Sequence, residues 1–150
     1  MTIEKKGDIY ISLGTKEAPK TTENFIKLVN QKFYDGILFH RVVAGFVAQA
    51  GDPQTKTKGA TGEGIGNGGP GWTIKFENTP LKHEKYALGM ARTQDPDSAG
   101  SQFYICLEPA HRLDGNYVVF GKVVSGMALV DKLAVGDKIV SARLIQDGRK

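Results

Sequence analysis

Apolar and polar residues alternate near the start of the chain. Ile9, Ile11 and Leu13 interleave with Asp8, Tyr10 and Ser12, the period of a strand with one buried face. Gly7-Asp8 splits the stretch Thr2 to Leu13 into two short strands. After Ala18-Pro19 the period becomes helical. Pro19 suits the first helical position, where its missing N–H would have no partner anyway. Phe25, Leu28 and Val29 then form an apolar stripe. Past a turn at Tyr34-Asp35-Gly36, the pattern predicts strands at about 37–43 and 46–50, broken by Gly45. Residues 51–71 are rich in Gly, Thr and Lys and predict a long loop. Strand patterns return at 86–91, 102–107 and 117–124. Met127, Val130 and Leu133 predict a second helix over 127–134, with Gly136 behind it, and 138–145 reads as a last strand.

Seven or eight short strands with two helices predict a mainly β, antiparallel barrel or sandwich capped by helices. Too few helices separate the strands for a parallel α/β sheet. The 150 residues suffice for one core, and no repeat, linker or composition break divides them, so a single domain over 1–150 is expected.

Composition narrows the chemistry. The net charge of +4 comes from scattered basic residues, with no run longer than Lys5-Lys6 or Arg149-Lys150. That predicts a solvated surface and no nucleic-acid partner. Cys106 is the only cysteine, which excludes an intrachain disulfide, and its apolar strand setting predicts an inert buried thiol. No stretch approaches ~18 apolar residues, so no membrane span is expected, and the cytoplasm is the default location. Gly64-Ile65-Gly66-Asn67-Gly68-Gly69 fits a dinucleotide fingerprint in letters only: no strand leads into it, and Pro70-Gly71 follows where a helix should begin. His40, His83 and His111 lack metal-ligand spacing, and neither Ser98 nor Ser101 sits in a nucleophile elbow. Neither a metal nor any other cofactor is expected.

What remains is the segment 39–52, Phe-His-Arg-Val-Val-Ala-Gly-Phe-Val-Ala-Gln-Ala-Gly-Asp. A guanidinium, an imidazole, an amide and an aromatic ring sit among Val and Ala, with no paired nucleophile. This suits holding a neutral peptide group beside an apolar ring rather than cleaving it. Strand parity puts Arg41 with Phe39 and Val43, and Val47 with Gln49, while His40 alternates away from Arg41. An exposed strand arginine and an exposed strand amide are the plain alternatives for Arg41 and Gln49, and a satisfied structural histidine is the alternative for His40.

The segment resembles the signature of cyclophilin-type peptidyl-prolyl isomerases. So do Gly89-Met90-Ala91-Arg92-Thr93, Ala99-Gly100-Ser101-Gln102-Phe103-Tyr104-Ile105, Leu113-Asp114-Gly115 and Val118 to Val123, in the family's order and over nearly the whole chain. The style of 90–93 is closer to bacterial members. The resemblance implies a closed eight-stranded antiparallel barrel capped by two helices, and cofactor-free isomerisation of X–Pro bonds in peptides and in unfolded or folding proteins. A proline-binding chaperone or adaptor with little turnover is the alternative. The implied catalytic residues are Arg41, Gln49 and His40. Phe46, Val47, Tyr104 and Leu113 would form the proline pocket, whose other reading is plain core. The backbone at Ala91 and Arg92 would pair with the substrate, and Thr93 with the 51–71 loop would border the pocket for the residue before proline. Arg112 stands where many members have tryptophan, so weak cyclosporin binding is expected. Tyr104 replaces the usual phenylalanine, Tyr117 a frequent histidine and Ala44 a common proline. A monomer is expected.

Overall fold

The computed structural model describes residues 1–145. In chain order its elements are β1 (Thr2–Ile3), β2 (Gly7–Asp8), β3 (Tyr10–Leu13), α1 (Pro19–Asn30), β4 (Arg41–Val43), β5 (Val47–Ala50), α2 (Thr55–Lys58), β6 (Ala87–Met90), β7 (Phe103–Cys106), β8 (Val119–Ser125), α3 (Met127–Val130) and β9 (Ile139–Ser141); a 3-10 turn spans His111–Leu113. The described strands form a sheet ordered β2-β1-β9 and a six-stranded sheet ordered β3-β8-β6-β7-β5-β4. Every pairing is antiparallel.

Most expected elements are present with altered bounds, but Gly7–Asp8, expected as the break between two strands, is itself paired with β1 as β2. The stretch 37–43 is paired as β4 only from Arg41, while Leu38 makes an isolated bridge to Lys138. The second long helix expected over 127–134 stops as α3 at Val130. There the chain tightens into turns, and the Asp137 carboxylate accepts the Ala134 N–H at 2.8 Å. The last strand covers only Ile139–Ser141 of 138–145. The loop at 51–71 contains the unexpected helix α2. Its start is organised by Asp52, whose Oδ1 accepts the Gln54 N–H and whose carbonyl accepts the Thr55 hydroxyl.

Helix α1 starts at Pro19, as its sequence suggests, without a side-chain cap of its own. The carboxylate of Glu77 substitutes from a distant loop, accepting the N–H groups of Lys20 and Thr21 at 3.0 and 2.9 Å. This satisfies donors that a helix start leaves open. The apolar stripe of Phe25, Leu28 and Val29 packs inward, where Phe25 meets Tyr34, Phe103 and Phe120 with ring centroids 5.1–5.7 Å apart.

The central strands of the six-stranded sheet are apolar on both faces, and parity divides them into two cores. Ala48, Ala50, Leu88, Met90, Phe103 and Ile105 belong to the main core with the α1 stripe. Val47, Ala87, Tyr104, Cys106 and Val119 point the other way and form a second cluster with Ala110. Phe46, Ala91, Leu113 and Tyr117 pack against that second cluster. It is this outer core that builds the candidate site.

Candidate active site

One transverse row of the sheet positions the polar groups. Arg41 of β4 pairs with Gln49 of β5, Gln49 with Tyr104 of β7, and Tyr104 with Gly89 of β6. Directly opposed residues share a face, so Arg41, Gln49 and Tyr104 rise from the same side. The Arg41 Nη1 donates to Gln49 Oε1 at 3.4 Å, a long bond that steers the guanidinium.

Beside this row lies a cavity of about 220 Å³ lined by Arg41, Phe46, Val47, Gln49, Ala91, Arg92, Tyr104, Leu113 and Tyr117. Phe46, Val47, Tyr104, Leu113 and Tyr117 make one part of its wall aromatic and aliphatic, and Arg41, Gln49 and Arg92 make the rest polar. Tyr104 and Tyr117 meet edge to face, with centroids 6.3 Å apart. Arg92 lies 4.3 Å over the Tyr117 ring and donates to the carbonyls of Asn116, Thr93 and Gln94. Its charge is thereby tied to the wall. Arg112 lies outside the lining, 4.5 Å over the Phe46 ring. A small pocket with an aromatic and aliphatic wall beside one steered guanidinium suits an uncharged ring next to a group that gains a lone pair.

A larger cavity of about 660 Å³ adjoins it and shares Gln49, Ala91 and Arg92. Its other walls come from the loop Gly66 to Thr73, with Thr93, Ser98 and Gln102. Hydrogen bonds run from Arg41 into this loop. Gln49 Nε2 donates to Gln102 Oε1 at 3.0 Å, and Gln102 Nε2 donates to the carbonyls of Gly66 and Gly68 at 2.9 and 2.8 Å. From below, Asp52 accepts the N–H groups of Gly66 and Gly68 at 2.6 and 3.1 Å. Burial alone would raise the Asp52 carboxyl, but these donors and the Gln54 N–H outweigh it and hold its pKa below the ordinary value. A side chain at Gly68 would overlap that carboxylate, so glycine is required there.

The chain matches the family model described as "Cyclophilin type peptidyl-prolyl cis-trans isomerase/CLD" over residues 1–148. It belongs to the cyclophilin family. It is 43% identical over 144 residues to peptidyl-prolyl cis-trans isomerase B of Bacillus subtilis (strain 168), covering 95% of this chain and 94% of that one. It is also 43% identical over 140 residues to a peptidyl-prolyl cis-trans isomerase of Helicobacter pylori (strain ATCC 700392 / 26695), covering 91% and 80%. Among solved structures, a Cryptosporidium parvum cyclophilin determined in the presence of the dipeptide Ala-Pro aligns with TM-score 0.75 and 32% identity, over 86% of this chain and 80% of that one. The fold is thus cyclophilin-like and mainly β, and the activity is peptidyl-prolyl cis-trans isomerisation.

Within this cyclophilin, the structure gathers most of the residues expected from sequence. Arg41, Gln49, Phe46, Val47, Ala91, Arg92, Tyr104, Leu113 and Tyr117 surround one cavity. Three do not line it. Thr93 lines the larger cavity, where its N–H and hydroxyl both donate to Ser98 Oγ. Arg112 sits on the rim. His40 lies outside both linings. Its N–H donates to the Gln49 carbonyl, and its buried Nδ1 has no partner among the described residues. Burial, reinforced by Arg41 and opposed by Asp52, holds its pKa below the ordinary histidine value. The expected substrate edge is also half committed: the Ala91 N–H already donates to the Gln102 carbonyl at 2.9 Å. Among the described residues, the Ala91 carbonyl and the Arg92 N–H have no protein partner and are the groups left for a bound chain.

Sequence reasoning missed Gln102, Asp52 and His83 as parts of the site. Gln102 stands in a quoted family stretch, Ser101-Gln102-Phe103-Tyr104, but an amide on a strand gives no sign of its bond across to Gly66. His83 stands in the sequence as an isolated histidine without metal-ligand spacing, whereas its imidazole, with no exposed side-chain surface, bridges Asp114 and Tyr104.

Proposed function

We propose that the 220 Å³ cavity receives the proline ring of an X–Pro segment and that Arg41 stabilises the twisted peptide bond. Resonance gives that bond a rotation barrier of ~18–20 kcal/mol, and uncatalysed exchange takes tens to hundreds of seconds. Twisting localises the lone pair on the prolyl nitrogen. A guanidinium N–H aimed at that nitrogen binds the twisted state better than the planar one, and such differential binding lowers a barrier. A charge-assisted hydrogen bond contributes about 1.5–3 kcal/mol, or roughly one to two decades in rate. The apolar walls and the backbone at Ala91 and Arg92 supply the remainder by orienting the chain. Gln49 holds the guanidinium, and His40 supports the strand beside it through its backbone.

The observation that carries this reading is the steered guanidinium of Arg41 in the lining of a cavity that it shares with Phe46, Val47, Tyr104, Leu113 and Tyr117. The Ala-Pro dipeptide named for the Cryptosporidium parvum relative supports proline-containing segments as ligands. Their natural source is taken to be unfolded and folding proteins. The Arg112 substitution supports weak cyclosporin binding, and a low-nanomolar inhibition constant would overturn that. Action as a monomer in the cytoplasm completes the proposal, tested by analytical ultracentrifugation and cell fractionation. The deciding experiment is an isomerase assay on a short X–Pro peptide with wild type and Arg41→Ala. The variant should lose one to three decades in kcat/KM, roughly ~1.4–4 kcal/mol, while staying folded. Equal rates would remove the mechanism.

A further inference from the structure

We propose that Arg112 makes this isomerase prefer segments with an acidic residue directly after the proline. The inference rests on the proline-pocket reading above. Phe46, a wall of that pocket, carries two guanidiniums, Arg112 at 4.5 Å and Arg41 at 5.8 Å from its ring centroid. Among the described residues neither enters an ion pair, and Arg112 donates no hydrogen bond. Among the described residues no Asp or Glu lines either cavity. Asp114, two positions from Arg112, has one carboxylate oxygen on His83 and the other on His111. Arg92 differs, because its guanidinium is spent on three carbonyls. Among the described residues Arg112 is therefore a cation at the rim that no carboxylate or carbonyl engages, held on an aromatic face.

The placement gives the direction. The two cavities meet at Gln49, Ala91 and Arg92. A chain whose residues before proline occupy the larger cavity, and whose proline fills the smaller, leaves across Phe46 toward Arg112. An extended chain advances about 3.3 Å per residue, so the next side chain is the one that meets the rim. A carboxylate there pairs with a guanidinium in a two-pronged geometry that a lysine side chain would not match. A lysine in the substrate meets two like charges instead. Because the pair is solvent-exposed, the effect is a modest selectivity, weakened by salt.

The test compares three peptides that differ only after proline, Ala-Ala-Pro-Glu, Ala-Ala-Pro-Ala and Ala-Ala-Pro-Lys, with blocked termini and kcat/KM from NMR exchange. At low salt the order should be Glu, then Ala, then Lys, with about three- to tenfold between the extremes. In ~1 M NaCl the spread should shrink toward unity. Arg112→Gln should collapse the Glu-to-Lys ratio, and Arg112→Lys should keep part of it. Equal rates for wild type at low salt, or an unchanged ratio in Arg112→Gln, would overturn the proposal. An Arg112-dependent preference found only for Glu before proline would overturn its direction. Loss of turnover on the Ala peptide would instead strike at the pocket reading itself.

Discussion

The Tyr104 hydroxyl lies 2.7 Å from Nε2 of His83, whose imidazole has no exposed side-chain surface. Nδ1 of the same ring lies 2.7 Å from Asp114 Oδ1. Burial alone would raise the Asp114 carboxyl. The His83 N–H and the side chains of His111 and His83 outweigh it and hold the pKa at about 2. The carboxylate is ionised and accepts only, so Nδ1 carries the proton and Nε2 accepts the Tyr104 O–H. Burial also keeps His83 neutral near pH 7, against the pull of Asp114. The floor of the proline pocket is thus latched from beneath. Glutamine can present its amide near the Nε2 position, whereas asparagine reaches only the Nδ1 position. His83→Gln should therefore retain most of kcat/KM. His83→Asn should raise KM and lose about 1–3 kcal/mol of stability by leaving a buried hydroxyl unpaired. Introduced into Tyr104→Phe, the two substitutions should no longer differ in KM. Identical KM values for the two single variants would argue against the latch.

Asp114 also sets a pH window. Its folded pKa of about 2 lies below the ordinary 3.8. A carboxyl with a depressed folded pKa stabilises the fold above the ordinary value, and that stability is lost as pH falls through the folded one. Urea unfolding should show a steep loss between about pH 4 and pH 2, and Asp114→Asn should flatten the curve there while being less stable at pH 6. Parallel curves for the two proteins across this window would contradict the assignment.

The strands were legible where one face meets water and the other does not, as in the alternation of Ile9, Ile11 and Leu13. They were less so in β6 and β7, which are buried at every position. Nothing in Phe103-Tyr104-Ile105-Cys106 says which residues face the main core and which face the pocket; pairing partners decide it, and partners are distant in sequence. The site shows the same division. Arg41, Phe46, Val47 and Gln49 were legible because β4, its turn and β5 bring neighbours in sequence together. The latch was not, since His83 reaches Tyr104 and Asp114 across 21 and 31 positions. Helix α2 was hidden because its Thr-Lys-Thr-Lys sequence has no apolar stripe, and the organising group is the Asp52 carboxylate before it.

Since rotation transfers no proton, kcat/KM should be flat from pH 7 to 9. His40 and His83 both have lowered pKa values, chiefly from burial, and so change charge below their ordinary 6.5. His111 is raised, mainly by its bond to Asp114, but lies outside both cavity linings. A stopped-flow profile with two essential ionisations in that range would contradict a proton-free step.

Gln102 ties the row that holds Arg41 to the loop at Gly66 and Gly68. Gln102→Ala should cost about one decade in kcat/KM by releasing Gln49 and, through it, the guanidinium. Gln102→Glu retains an acceptor for Gln49 Nε2 but has no donor for the loop carbonyls. It should recover part of that rate while leaving the loop as protease-sensitive as in Gln102→Ala. A Gln102→Ala enzyme with full activity would show that Arg41 needs no support beyond Gln49.

Gly89 provides the space in which Tyr104 lies. It faces Tyr104 directly across β6 and β7, and a Cβ at this position would overlap the Tyr104 ring. No left-handed backbone demands glycine here, so the requirement is purely one of room. Gly89→Ala should push the ring off its seat, break the bond to His83 and narrow the 220 Å³ cavity. Overpacking of this kind costs about 1–3 kcal/mol, and KM should rise with it. Replacing the ring as well, in Gly89→Ala/Tyr104→Leu, should restore part of the urea midpoint relative to Gly89→Ala alone, because a shorter side chain leaves space for the new methyl. A Gly89→Ala protein with unchanged midpoint and KM would mean that the sheet yields at this point rather than the ring.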